Sequence, residues 1–95
     1  MFAVLFEDVE AGADIRAAHM PAHLRFLEEN AGMIQSAGPL LDEAGQLSSG
    51  LWLVEAGAFA EVENLVHADP FWAAGLRKSV SIRRWRRVFV DGRRA

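Results

Sequence analysis

The chain has 95 residues, enough for one domain around one small core. Its 52% hydrophobic and 24% charged content excludes wholesale disorder, and with no cysteine it excludes a disulfide framework, a zinc finger, an iron–sulfur cluster and a thiol nucleophile. The formal net charge of −3 hides an asymmetry: residues 1–76 hold 12 acids and two bases, a net of −10, whereas residues 77–95 hold eight bases and one acid, a net of +7.

The N-terminal Met-Phe-Ala-Val-Leu-Phe-Glu-Asp turns acidic without a basic leader, which reads as neither signal peptide nor membrane span, so the expectation is a soluble cytoplasmic protein. Phe2 to Phe6 is a short run apolar on both faces, as in a central strand. Asp14 caps a short helical segment, Ile15 to His19, that should stop or kink before Pro21. Pro21 then opens a longer helix to about Ala31, with Phe26, His23, Leu27, Ala31 and Leu24 on one arc and Arg25, Glu28 and Glu29 on the other.

Gly32 ends that helix, Met33 to Ala37 reads as a second strand, and Gly38-Pro39 breaks it. Leu40 to Ser49 reads as a loop and Gly50 to Ala56 as a third strand. Ala58 to Ala68 is a second helix with Phe59, Val62, Leu65 and Val66 inward. Asp69-Pro70 halts it and starts a short helical turn through Leu76. Ser79 to Val90 is a fourth strand whose alternation changes parity, because Val80 and Ile82 are even and Trp85 and Phe89 odd. That predicts either a bulge near Arg83-Arg84 or a change of partner.

The order β-α-β-β-α-β predicts an α+β, ferredoxin-like fold: a four-stranded antiparallel sheet with both helices on one face. Strands one and three leave apolar residues on the other face, which predicts a homodimer built sheet against sheet. The whole chain, residues 1–95, reads as one domain, with residues 92–95 as a flexible tail.

His23 sits in the middle of an apolar arc where Leu or Ile is expected. It is either a core-edge histidine bonded to a backbone carbonyl or a general acid or base at the end of a pocket. Asp69 is the N-cap of the turn beginning at Pro70; by bonding one nitrogen of His23 it would also fix the tautomer and leave the other nitrogen as the base. Phe71, Trp72 and Trp52 are candidate apolar walls for a ligand, and Gly38 and Pro39 are strand-end residues able to line a pocket. His19, His23 and His67 form only a weak metal pattern, interrupted by Pro21, so no metal is expected. There is no serine-hydrolase, phosphate-loop or nucleotide motif, and no cofactor is expected. The Arg83-Arg84-Trp85-Arg86-Arg87 run mixes cations with an aromatic, but the acidic body disfavours nucleic acid; those arginines are expected to meet acids of the same chain or of a partner subunit.

The ordered set Pro21-Ala22-His23-Leu24, Ala37-Gly38-Pro39-Leu40, Gly50, Ala68-Asp69-Pro70-Phe71 and a Val/Ile-rich last strand resembles the YciI-like (YCII-related) family from Phe2 to about Val90. The resemblance implies a ferredoxin-like fold dimerising as an α/β-barrel, with His23 and Asp69 as the catalytic pair. It also implies proton abstraction with elimination or isomerisation, as in a dehydrochlorinase. Many relatives carry arginine just before the P-x-H motif; here that position is Met20. Arg16, one turn earlier, is the nearest base and the candidate substrate-binding cation.

The expected function is therefore a small cofactor-independent lyase or isomerase acting on a small cyclic or aromatic molecule. The alternative is a non-catalytic dimeric small-molecule-binding or interaction module.

Overall fold

The computed structural model describes residues 1–95. Strand β1 (Phe2–Asp8) alternates buried Phe2, Val4 and Phe6 with the less buried Ala3, Leu5 and Glu7. It occupies the middle of a four-stranded sheet ordered β2-β3-β1-β4, with β2 Ile34–Leu41, β3 Leu47–Val54 and β4 Arg77–Arg84. Every neighbouring pair is antiparallel. Helices α1 (Ala13–Glu29), α2 (Phe59–Ala68) and the single turn α3 (Pro70–Ala73) complete the β-α-β-β-α-β plan.

One continuous core lies between sheet and helices. Phe2, Val4, Phe6, Ile34, Trp52 and Val54 meet Phe26 of α1 and Val62, Leu65 and Val66 of α2. Burial of each such side chain stabilises the fold by about 1.5–3 kcal/mol, so this layer is the main favourable contribution. Phe59 is 41% exposed but meets the Phe2 ring edge-on at 5.0 Å. On the opposite face Leu51 and Leu53 are half-buried, while Leu5 and Leu40 are about 40% exposed. No helix is long and apolar enough to cross a membrane.

Two local expectations are corrected and a third, left with two alternatives, is resolved. Pro21 neither stops nor splits the first helix; α1 runs unbroken through it. Proline removes a hydrogen bond to the carbonyl four residues back. Here that partner, Ala17, and Pro21 itself lie on the exposed side, where water can serve the freed carbonyl.

Gly38-Pro39 does not end β2, which continues to Leu41 as one arm of a hairpin with β3; β3 in turn begins at Leu47 within the expected loop. The reason is position: β2 is an edge strand, the place in a sheet where a proline's missing N–H is tolerated. Skipping Gln35 shifts the register and turns Ala37 and Pro39 toward Trp52 and Gly50 on the helix side.

The parity change in the last strand is a change of partner. Strand β4 ends at Arg84, after which the chain pairs with itself as β5 (Phe89–Val90) and β6 (Arg93–Arg94). Within the segment read as a tail, Arg93 and Arg94 pair back on Val90 and Phe89 across a turn at Asp91-Gly92, both with positive φ (52° and 77°). A register shift does exist, but at the start of β4. Glu7 pairs with Ser79 and Asp8 with Arg77, so Lys78 is skipped. This extra residue turns Arg77 inward, although the strict alternation set by Val80 and Ile82 would face it outward.

Candidate active site

His23 projects from the middle of α1 onto the core, where only it and Phe26 of that helix are buried. Its Nδ1–H donates to Asp69 Oδ1 at 2.8 Å. An ionised carboxylate only accepts, so this bond calls for a proton on Nδ1, and in the neutral ring the lone pair is then on Nε2. Asp69 is held in turn by the local chain: it caps α3, its Oδ1 accepting from the Phe71 N–H at 3.1 Å, and Pro70 occupies the first helical position. The imidazole is clamped by Phe71, with ring centroids 4.1 Å apart and planes 19° from parallel. Trp52 stacks beyond at 6.5 Å.

Behind this pair runs a chain of charges. Arg77 Nη2 lies 3.7 Å from Asp69 Oδ2, and Arg77 Nη1 donates to Asp8 Oδ1 at 2.9 Å. Asp8 Oδ2 accepts from Arg16. The side chains of Asp8, Asp69 and Arg77 are each no more than 5% exposed, and that of Arg16 is 14% exposed. Buried ions need close partners, and here each has at least one opposite charge beside it.

A cavity of about 120 Å³ opens between α1 and the β2–β3 hairpin. Arg16, Met20, His23, Leu24 and Leu27 line it from the helix; Ala37, Gly38, Pro39, Gly50 and Trp52 line it from the hairpin, and Arg77 from β4. It thus brings together five of the candidate site residues singled out in the sequence: His23, Arg16, Gly38, Pro39 and Trp52. Asp69 lies one hydrogen bond behind the wall. Phe71 is fully buried beneath His23 and supports the ring from behind. Trp72 is elsewhere, 38% exposed against His67 at 4.7 Å. His19 is exposed, so the three histidines do not converge.

Arg77, Asp8 and Met20 are the site residues that sequence reasoning missed. Asp8 and Arg77 sit at chain positions where a charge normally marks a strand leaving the core. The available signal was that Val80 and Ile82 set an inward parity which an extra residue before them would transfer to Arg77.

The fold has a counterpart among solved structures. The chain is similar to 5-chloro-2-hydroxyhydroquinone dehydrochlorinase (TftG) from Burkholderia phenoliruptrix AC1100, solved in complex with 2,5-dihydroxybenzoquinone. That likeness has a TM-score of 0.79 and 29% identity over 90% of this chain and 92% of that one. A protein from Agrobacterium tumefaciens gives a TM-score of 0.37 at 16% identity, covering 87% of this chain and 89% of that one. A NIPSNAP domain protein from Burkholderia xenovorans gives 0.31 at 19% identity, covering 86% and 89%. No curated protein matches significantly. The family model of the YCII-related domain matches residues 1–86, and the chain belongs to the YCII-related family.

Proposed function

We propose that the protein is a small lyase or isomerase in which His23, oriented by Asp69, moves a proton on a small ring compound. The observation that carries this reading is the buried 2.8 Å bond between His23 and Asp69 at the wall of a cavity. With the Nδ1 proton committed to Asp69, Nε2 is the nitrogen left to accept a proton from a ligand. Stacking on Phe71 fixes the plane of the ring, so the base is preorganised rather than mobile. Protonation creates an imidazolium whose charge Asp69 answers.

The cavity size bears on the substrate. About 120 Å³ is well below the roughly 300–1,000 Å³ of a drug-sized site, which suits a single six-membered ring. Trp52, Leu24 and Leu27 supply an apolar enclosure for it. The dehydrochlorinase similar to this chain was solved with 2,5-dihydroxybenzoquinone, one such ring. Transfer of one hydroxyl proton to the halogen-bearing carbon gives the keto form of the ring; removal of a second hydroxyl proton by Nε2 then expels halide from that carbon, so the ring gives up one proton and one halide and becomes a quinone. Return of the proton to another ring atom gives an isomer instead.

The test is halide release from chlorinated hydroquinones by the wild type and by His23→Asn, whose amide nitrogen can replace Nδ1–H toward Asp69 but offers no base. Loss of general-base catalysis lowers turnover by about 10²–10⁴-fold. Turnover unchanged in the variant overturns the proposal, and binding without any turnover in the wild type favours the non-catalytic binding module.

We also propose that the protein is a homodimer joined through the open sheet face. Leu5, Leu40, Leu51 and Leu53 form an apolar patch there that a second copy would cover. Sedimentation of wild type against Leu5→Lys distinguishes dimer from monomer.

A further inference from the structure

Arg77 is under-satisfied for a buried cation. A guanidinium has five N–H donors and cannot shed its charge. Its side chain is 4% exposed, yet a single acceptor lies within hydrogen-bond distance, Asp8 Oδ1 at 2.9 Å. Asp69 Oδ2 stands off at 3.7 Å, and both that oxygen and Arg77 Nε are buried with no hydrogen-bond partner. The Phe6 and Phe71 rings, 4.0 and 5.2 Å from the guanidinium carbon, support the positive charge through their faces without accepting conventional hydrogen bonds.

The cavity wall adds a second observation. Its ionisable lining groups are Arg16, His23 and Arg77; neither carboxylate of the cluster, Asp8 or Asp69, lines it. The acids stand behind the wall and orient the cations that face in. Asp8 does this for both arginines, one on each oxygen. Gly50 lines the same wall, and a Cβ there would come into van der Waals contact with Nη1 at 3.4 Å, so the glycine leaves that edge of the guanidinium to the cavity.

We infer that the cavity selects ring compounds carrying an ionised oxygen, a phenolate or enolate, held by the guanidiniums of Arg77 and Arg16. This deepens the proposed function and rests on His23 as the proton carrier, because the ring atom that loses its proton must then face Nε2. Donors fixed in place by Asp8 stabilise negative charge as it develops on the ring oxygen, without reorganising at the moment of proton transfer. The guanidinium carries five N–H donors, of which Asp8 takes one at hydrogen-bond distance, so Arg77 keeps its place in the cluster with donors to spare for a ligand oxygen.

The experiment compares two coloured rings of nearly equal size on the full chain at mildly alkaline pH: para-nitrophenolate, which is ionised, and para-nitroaniline, which is neutral. The expected result is at least tenfold tighter binding of the phenolate. Arg16→Gln should weaken the phenolate about tenfold and leave the aniline within twofold. Arg77→Lys keeps the buried charge while removing the fork and should weaken the phenolate several-fold; Arg16→Gln, at a less buried position, keeps the test decisive if that variant folds poorly. Equal affinities for the two rings, or a phenolate affinity indifferent to Arg16→Gln, overturn the inference. His23→Asn separates this from the proton-transfer reading. If halide release survives His23→Asn while phenolate binding still depends on Arg16, the oxyanion site stands and the base assignment falls. If halide release is lost while Arg16→Gln changes nothing, the reverse holds.

Discussion

Within ten residues the C-terminal segment uses arginine in two opposite ways. At the start of β4, Arg77 is almost fully enclosed, packed on two aromatic rings and bound to Asp8. At its end, exposed Arg84 lies over the Phe2 and Phe59 rings at 4.9 and 5.8 Å, and Arg87 reaches Glu55 only at 4.0 Å with both side chains well exposed. The same side chain is thus a fixed part of a cavity wall at one end and a solvated rim at the other. What differs is backbone register: the extra Lys78 turns Arg77 inward, whereas after Arg84 the sheet has run out. A run of like charges is therefore not one feature, and the polycation of the sequence divides at the strand.

Substitutions should divide it in the same way. Arg77→Met leaves Asp8 and Asp69 buried beside a neutral side chain and should cost about 3–5 kcal/mol in chemical denaturation. A loss below about 1 kcal/mol would place Arg77 with the solvated arginines. Asp8→Asn keeps the shape but takes the charge from between two guanidiniums, with an expected loss of about 2–3 kcal/mol and weaker anchoring of Arg16. Arg84→Ala removes exposed ring contacts and should cost about 0.5–1 kcal/mol. Arg87→Ala should stay within about 0.5 kcal/mol, and that small difference should vanish near 1 M salt, where screening acts over about 3 Å. The cost of Arg77→Met should persist at that ionic strength.

Much of the fold was legible because burial writes a period into the chain. The unbroken apolar run Phe2 to Phe6 announces a central strand by its length, and Val62, Leu65 and Val66 announce a helix by their period; these assignments hold. Pro21 and Gly38-Pro39 misled for a shared reason. A breaker residue is harmful only where a backbone partner must be satisfied inside the protein, and both lie where solvent or an unpaired edge removes that demand. On the site, His23 was conspicuous as a polar residue on an apolar arc, and Asp69 as a cap before Pro70. Asp8 and Arg77 were not, since their burial depends on a pairing across 69 positions that no local pattern records. Trp72 illustrates the converse error: adjacent to Phe71 in sequence, it points the other way from a single helical turn.

The skipped residue in β4 has one more consequence. Lys78 is exposed and belongs to no part of the site, yet its presence decides which way Arg77 faces. Replacing it with almost any residue should be harmless, whereas deleting it would swing an unchanged Arg77 to the far side of the sheet. A related chain could keep His23, Asp69, Asp8, Arg16 and Arg77 in full and still lack the cavity wall, having lost only a spacer. For this architecture, the count of residues at the start of β4 decides which side chains reach the cavity wall as firmly as their identities do.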